Sequence, residues 1–361
     1  MERRSPLRRL TFAALTLGMA LLVIEGFCRL AERTSDVLLG PFEIEEVPEV
    51  LGFEPHHEIG HLDLVTHANE GGYNGPFHPE ARAADTFRVA VLGDSFTFGW
   101  GVQASEAWPA LLEARLDAEL ATSGVDAEVL NFGVPGYNTW LQLLHWRRVV
   151  SAYRPDAVLL GYYSNDAVID RRVPNVYRLC PLPPPQGPAR VARAQELSAA
   201  ARVAHDLYWV AKTGSPLAPW AGPAVLREEH HGFACSMEWA VELASEVEAA
   251  GLPFSVVQLP HMEDLDDPSD PEGLAQKRLA AALGRRGIAT QDLHPTLAGL
   301  EPDVVSNADQ HPNAAGHRAI AEGLWPITGQ WLLAQGLSLA ARAKRAQGEP
   351  RTPRDAASPA P

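Results

Sequence analysis

Short runs of aliphatic and β-branched residues alternate with longer helical patterns along most of the chain. The runs predict strands near residues 87–93, 127–132, 157–163, 252–259 and 288–292. Helical periodicity predicts helices near 106–120, 138–152, 236–250, 272–285, 313–324 and 326–344. Alternating strands and helices are typical of a parallel sheet with right-handed crossovers. The pattern therefore predicts an α/β protein, a three-layer α/β/α sandwich on a five-stranded parallel sheet.

Two stretches interrupt this alternation. Residues 31–85 are polar and turn-rich, which predicts an irregular lead-in. Residues 170–235 open with a proline cluster and include an alanine-rich helical pattern near 190–212. Long insertions of this kind at the active edge of α/β folds often form lids. We predict a domain over 86–341 that contains the helical insertion, followed by a disordered tail over 342–361.

The N-terminus has the pattern of a targeting segment. An apolar run from Leu10 to Ile24 follows four arginines, at positions 3, 4, 8 and 9. The run is shorter than the roughly 20 residues of a spanning helix. No clean small-residue cleavage site follows it. We predict an uncleaved signal anchor over residues 1–30, with a cleaved signal peptide and a buried core helix as alternatives. An anchor would place the body outside the cytoplasm, in the periplasm or the extracellular space.

The three cysteines are compatible with export. Cys28 lies within the predicted anchor, whereas Cys180 and Cys235 belong to the body. An oxidising compartment would let these two pair. Free buried thiols are the alternative.

Composition and motifs exclude several other functions. The net charge of −15 disfavours nucleic acid, because phosphate contacts need clustered Lys and Arg, but it suits neutral esters and sugars. The chain has no Walker loop, no Gly-x-Ser-x-Gly elbow and no convincing metal-ligand spacing. We therefore predict neither a cofactor nor a metal. No feature of the sequence indicates an oligomeric state.

Four segments carry the chemistry that serine-based acyl transfer requires. Ser95 ends the first strand within Gly93–Gly99, and a glycine-rich turn ends the second strand at 131–136. Asn165 follows the third strand, and the Asp309–Asn313 segment precedes a helical pattern. Together they offer a nucleophile, oxyanion donors, a base and an orienting acid. Taken alone, the Asp-Ser pair at 94–95 could be merely a helix cap.

These segments resemble the four motif blocks of the SGNH family, also called GDSL-type hydrolases, over roughly residues 85–330. The resemblance implies a flavodoxin-like fold, Ser95 as nucleophile and His311 as base. It also implies oxyanion donors at Ser95, Gly136 and Asn165, with Gly133 as the alternative to Gly136.

The last block departs from the usual spacing. Asp and His commonly stand three apart, but Ala308 occupies that position and Asp309 stands two before His311. We assign the orienting acid to Asp309. Asp303 and Asp292 are alternatives, and helix capping is the structural alternative for Asp309.

The predicted function is a membrane-anchored, exported serine esterase acting on small-molecule or glycan esters. The alternatives are an O-acyltransferase that modifies an envelope polysaccharide and a non-catalytic glycan-binding or assembly protein. Trp100, Tyr137 and Tyr162 would suit sugar stacking if they were exposed, although core packing is the commoner role of such residues.

Overall fold

A computed structural model describes residues 6–34, 51–83, 86–121, 124–167, 198–213, 231–260, 262, 265, 271–300, 303–306 and 311–334. These residues fall into two compact units. One contains the N-terminal helix and the described part of the insertion, and the other contains the remaining elements.

The strands and helices alternate as the sequence predicts. The strands are β1 (Glu58–His61), β2 (Leu64–His67), β3 (Thr86–Gly93), β4 (Asp126–Gly133), β5 (Ala157–Tyr162), β6 (Phe254–Gln258) and β7 (Thr290–Asp292). The helices are α1 (Pro6–Thr34), α2 (Ser95–Phe98), α3 (Trp108–Leu120), α4 (Thr139–Arg148), α5 (Ala199–Thr213), α6 (His231–Ala249), α7 (Pro271–Arg285), α8 (His294–Leu297), α9 (Ala314–Gly323) and α10 (Trp325–Ala334). Short 3-10 turns cover Ala104–Glu106, Val150–Tyr153 and Ser164–Ala167.

The five strands predicted from the sequence form one parallel sheet in the order β4-β3-β5-β6-β7. β3 lies between β4 and β5, and Val89 pairs with both Val129 and Ala157. The α/β fold class and the five-stranded parallel sheet are thereby confirmed. Because all five strands run the same way, the ends of β3, β4 and β5 share one edge of the sheet.

Helices cover both faces of the sheet. On one face, Val89 and Val91 of β3 pack with Leu112 of α3 and Ile320 of α9 in the main apolar core. Alternation of side chains along a strand sends the neighbouring residues to the other face, where α4 and α6 pack against each other. The sheet is therefore buried on both sides, as its nearly continuous apolar strands require.

The lead-in is more ordered than its composition suggested. β1 and β2 form an antiparallel hairpin with His61 opposite Leu64. Beyond it, Tyr73 is almost fully buried, and Asn74 Nδ2 donates to the Phe98 carbonyl at 2.6 Å. Residues 51–83 therefore pack on the sheet domain. The sequence analysis missed the hairpin because both strands are only four residues long and do not alternate cleanly, since the polar His61 and Thr66 are buried and the apolar Val65 is exposed.

The compact unit that contains the N-terminal helix is formed by α1 and α5. Glu25 of α1 accepts the Ala199 and Ala200 N–H groups and the Ser198 hydroxyl, at 2.9 to 3.2 Å. α1 keeps large apolar side chains exposed, including Leu22 and Phe27. Among the described helices, none combines the length and the apolar character needed to cross a membrane.

Several predicted features extend beyond the described residues. The helix predicted near 190–212 is described only as α5, and the one near 326–344 only as α10. The predicted tail lies outside the described residues, as does Cys180. Cys235 is disulfide-bonded and Cys28 is a free thiol.

Candidate active site

Ser95 lies where β3 turns directly into α2. Asp94 caps this short helix, and its Oδ1 accepts the Phe96 N–H at 2.9 Å. The turn is tight, since a Cβ on Gly93 would lie 2.1 Å from Thr97 Oγ1. Only glycine fits there, which accounts for the start of the motif. Asp94 therefore caps the helix, and Ser95 lies at the edge of the sheet as the first residue of that helix.

His311 approaches this serine from the far end of the chain. Its Nε2 lies 2.9 Å from Ser95 Oγ, which is hydrogen-bond distance. The imidazole also contacts two aromatic rings, with centroid distances of 4.7 Å to Phe96 and 6.1 Å to Trp100. A serine hydroxyl paired in this way with an imidazole is the geometry of a nucleophile and its base.

Asn313 secures the loop that carries His311. Its Nδ2 donates to the carbonyls of Asp303 and Val305 at 2.8 and 2.9 Å. Its Oδ1 accepts the Ala315 N–H at 2.8 Å and so caps α9. The sequence analysis gave Asn313 no role, although an asparagine just before a helical pattern is a capping signal.

Of the three candidates for the acid that orients His311, the structure describes two. Asp309 lies outside the described residues, so its contact with His311 stays a prediction. Asp292, one of the two alternatives, uses its Oδ1 to accept the His294 N–H at 2.9 Å. The other alternative, Asp303, is exposed to solvent.

The turn after β4 separates the two candidate glycine donors. The Gly133 N–H donates to Asn131 Oδ1 at 3.1 Å, and a Cβ on Gly133 would lie 2.4 Å from the Phe98 nitrogen. Gly136 has a φ of 81° and space around its Cα, and its N–H donates to no acceptor within the described part of the chain. Gly133 is therefore a packing glycine, and the geometry favours Gly136 as the donor.

Asn165 lies beside the nucleophile turn, in the 3-10 turn that follows β5. Its Nδ2 donates to Asp94 Oδ2 at 2.7 Å. A carboxylate only accepts hydrogen bonds, so this contact sets which end of the amide faces Asp94. The second Nδ2 hydrogen remains for another acceptor. The structure thus brings Ser95, His311 and Asn165 together at one edge of the sheet.

Two buried carboxyl groups lie beneath this edge. Burial raises the pKa of Asp94 to about 6, against the lowering effect of its hydrogen bonds. Burial and the nearby Asp94 raise the pKa of Asp166 well above its usual range. Asp166 accepts from Gln142 Nε2 at 2.6 Å and from the Tyr163 N–H at 2.7 Å. The sequence analysis missed the roles of Asp166 and Gln142, because their contact joins residues 24 positions apart.

Only one of the three aromatic residues expected to stack on sugars is accessible. Tyr137 and Tyr162 are buried, so the expectation of exposed stacking rings is wrong for both. The Tyr137 hydroxyl accepts the Gly52 N–H, and the Tyr162 hydroxyl lies 2.9 Å from Ser236 Oγ. Trp100 is partly exposed next to His311.

The model of the GDSL-like lipase/acylhydrolase family matches residues 91–319, which include both Ser95 and His311. The chain belongs to this family. This GDSL hydrolase is therefore a serine ester hydrolase. A comparison with curated proteins gives no match.

The chain is similar to several solved structures. TesA is 17% identical, with a TM-score of 0.42, over 68% of this chain and 99% of its own. A lipase/acylhydrolase from Enterococcus faecalis is 16% identical, with a TM-score of 0.41, over 68% and 96%. An acetyl xylan esterase is 13% identical, with a TM-score of 0.41, over 67% and 99%.

Proposed function

We propose that the chain is an exported esterase that removes acyl groups from neutral esters through Ser95, His311 and Asp309. The observation that carries this proposal is the 2.9 Å separation between Ser95 Oγ and His311 Nε2 at the C-terminal edge of a parallel sheet. Asn165 stands beside the same turn with one amide hydrogen to spare. A binding protein without catalysis would have no need for this arrangement of groups.

The proposed reaction has two halves. Ser95 Oγ attacks the ester carbonyl carbon while its proton passes to His311 Nε2. The N–H groups of Ser95 and Gly136 and the Asn165 amide stabilise the oxyanion. The bond to the leaving oxygen then breaks, and His311 returns the proton to that oxygen. His311 then deprotonates a water molecule that attacks the acyl-enzyme. The bond between the acyl carbon and Ser95 Oγ breaks, His311 returns the proton to Ser95 Oγ, and the carboxylic acid is released. Asp309 would orient the imidazole throughout.

The charge of the protein supports a neutral substrate. The sequence carries 45 acidic and 30 basic side chains, so anionic esters would be repelled at long range. The described residues contain no cluster of three or more His, Cys, Asp or Glu side chains able to hold a metal ion. The groups named above are sufficient for acyl transfer.

We also propose export, with the N-terminal segment holding the enzyme at a membrane. The arginine-flanked run from Leu10 to Ile24 and its exposed side chains support this location. The disulfide bond of Cys235 suits an oxidising compartment. Fractionation of cells that express the full chain tests the proposal. We expect the protein in the membrane fraction and digestible by protease added from outside. A full-length chain recovered from the cytosol would contradict it.

The test of the enzymatic proposal is labelling with an active-site phosphonate, read by intact mass spectrometry. We expect one adduct on the wild-type protein and none on Ser95→Ala, whose circular dichroism should be unchanged. Ester turnover should fall by about 10⁴ or more in this variant. Near wild-type turnover by Ser95→Ala would overturn the assignment. Adding an oligosaccharide acceptor distinguishes the outcomes, because a hydrolase releases free acid and a transferase releases acylated sugar.

A further inference from the structure

We infer that Trp100 and Leu62 form a binding subsite for the alcohol part of the ester, and that this alcohol is a sugar. The inference rests on the proposed esterase function and assigns the lead-in hairpin a role in substrate binding. Three features carry it, namely the position of Trp100 beside His311, the rigid support of its ring, and a strained exposed leucine at the hairpin tip.

The position of the proton donor, His311, places the alcohol part of the ester next to Trp100. In the tetrahedral intermediate, the oxyanion faces the donors around Gly136 and Asn165. The leaving oxygen must reach His311 Nε2 to receive its proton. The group bonded to that oxygen therefore extends over the His311 side of the site. The indole of Trp100 lies on that side, with its ring centroid 6.1 Å from the imidazole.

The hairpin holds Trp100 through a buried histidine. The His61 ring packs on the indole with centroids 5.4 Å apart. Its Nδ1 accepts the Gly101 N–H at 2.9 Å, so its Nε2 carries the proton and donates to Thr66 Oγ1 at 2.7 Å. Burial lowers the pKa of His61, which agrees with a neutral ring. Both ring nitrogens are thus engaged, and the indole rests on a fixed support.

Leu62 extends this surface at the tip of the hairpin. It has a φ of 50°, a conformation that strongly favours glycine or asparagine. Its side chain is 44% exposed and lies over Gly101, where a Cβ would approach Leu62 Cδ1 to 2.9 Å. An apolar side chain kept in a strained, exposed position beside a candidate site points to ligand contact.

The chemistry of this surface suits a sugar. The partly exposed indole of Trp100 lies beside His311, and the exposed Leu62 side chain lies over the next residue, Gly101, so both offer apolar surface on the His311 side of the site. The C–H face of a pyranose ring can stack on such a surface while its acylated hydroxyl reaches Ser95. A simple alkyl alcohol has no comparable face and would gain little from the indole.

The experiment compares alcohols and acyl groups separately. Trp100→Ala should raise KM for an acetylated xylo-oligosaccharide about tenfold, and Trp100→Phe should restore most of the loss. KM for ethyl acetate should change by less than about twofold. The ratio of kcat/KM for p-nitrophenyl acetate and butyrate should also stay within about twofold, because both esters share one alcohol.

Leu62→Gly provides a second variant that keeps the fold. Glycine relieves the positive φ, so Tm should be equal to or above that of wild type. KM for the acetylated sugar should rise about threefold through the lost contact area. Val65→Ala is the matched control. Val65 is an exposed apolar residue of the same hairpin, but it lies on the face opposite to the buried Thr66 that binds His61. It should change none of these values.

The outcomes are distinguishable. If wild type hydrolyses no ester, the proposed esterase function fails. If wild type is active and Trp100→Ala alters only the acyl-length ratio, the residue lines the acyl pocket and the subsite is wrong. An active Trp100→Ala with unchanged KM for the sugar would also overturn it. If Trp100→Ala does not fold, an unchanged KM in Leu62→Gly decides against the inference.

Discussion

The Asn165 side chain donates a 2.7 Å hydrogen bond to Asp94 Oδ2, and this contact ties the end of β5 to the nucleophile turn. Asp94 Oδ1 meanwhile accepts the Phe96 N–H that starts α2. One buried carboxylate thus holds both the helix that begins with Ser95 and the amide proposed to bind the oxyanion. Helix capping and catalytic positioning are combined in the single residue Asp94.

Asn165→Ala should lower kcat on p-nitrophenyl acetate by about 10² to 10³, with KM changed by less than about threefold. An oxyanion donor acts mainly in the transition state, so its loss appears in kcat. The isosteric Asn165→Asp should lose at least as much activity, because a carboxylate there would repel the oxyanion. A change in KM alone would show that Asn165 only binds substrate.

Asp94→Asn should alter the pH dependence of stability. Burial raises the pKa of Asp94 from 3.8 to about 6 in the folded protein. The folded state therefore binds this proton more tightly than the unfolded state. The stability that the proton contributes is complete below pH 3.8 and is lost as the pH rises through about 6. The Tm of Asp94→Asn relative to wild type should become more positive between about pH 4 and pH 7.

The same Asp94 variant should lose kcat by about tenfold or more, because an amide at this position can also donate and so no longer sets the orientation of Asn165. Thermal melts across the pH range and steady-state kinetics measure the two effects. A Tm difference that does not vary with pH would contradict the assignment of a buried, titrating Asp94.

Asp166→Asn should be well tolerated near neutral pH. Burial and the nearby Asp94 raise the pKa of Asp166 well above its usual range, so replacing this side chain by an uncharged one of the same shape should cost little. An asparagine amide is nearly isosteric with the carboxyl group. Its Oδ1 can accept the Tyr163 N–H, and its Nδ2 can donate to Gln142 Oε1 once the Gln142 amide turns over. We expect kcat within about fivefold of wild type and an unchanged or higher Tm at pH near 7. Asp166→Ala is the contrasting variant and should lose about 1–3 kcal/mol of stability. A large loss of activity in Asp166→Asn would mean that the charge is required.

The two glycines after β4 should respond differently to alanine. Gly133→Ala would place a Cβ 2.4 Å from the Phe98 nitrogen and 2.8 Å from the Thr97 carbonyl carbon, so we expect poor folding. Gly136→Ala meets open space and keeps its N–H, but its φ of 81° should lower stability by about 1 kcal/mol. Soluble yield and chemical denaturation measure both effects. Gly136→Ala should retain most of its kcat, and the reverse order of damage would contradict the assignment of these roles.

Asp309→Asn should keep the fold and lose rate by up to about 10⁴, because an amide favours the wrong imidazole tautomer. Asp292→Asn and Asp303→Asn serve as controls with the same change of charge. Each control should keep more activity than Asp309→Asn. If one of them loses more, that acid orients His311, and the assignment of Asp309 is wrong.

The local pattern of the sequence determined the fold and the inventory of the candidate site. The predicted start of strand β3 is within one residue of the observed start, and its predicted end is correct. The predicted end of β7 is also correct. These predictions succeed because period, β-branched residues and turn glycines are properties of neighbouring residues. Ser95, the 131–136 turn and Asn165 were assigned to strand ends for the same reason, and parallel topology brings such ends to one edge.

Only the tertiary structure decided which of these groups contact one another. Asn165 contacts Asp94 across 71 positions of sequence, and the Asn131 side chain accepts the Gly133 N–H. The segment before β3, which the sequence analysis predicted to be irregular, makes two such contacts. Its Gly52 N–H donates to the buried Tyr137 hydroxyl, and its His61 ring packs on Trp100. The physical reason is that a periodic pattern shows which face of an element is buried, whereas hydrogen-bond partners depend on the register and packing of elements that are distant in the chain.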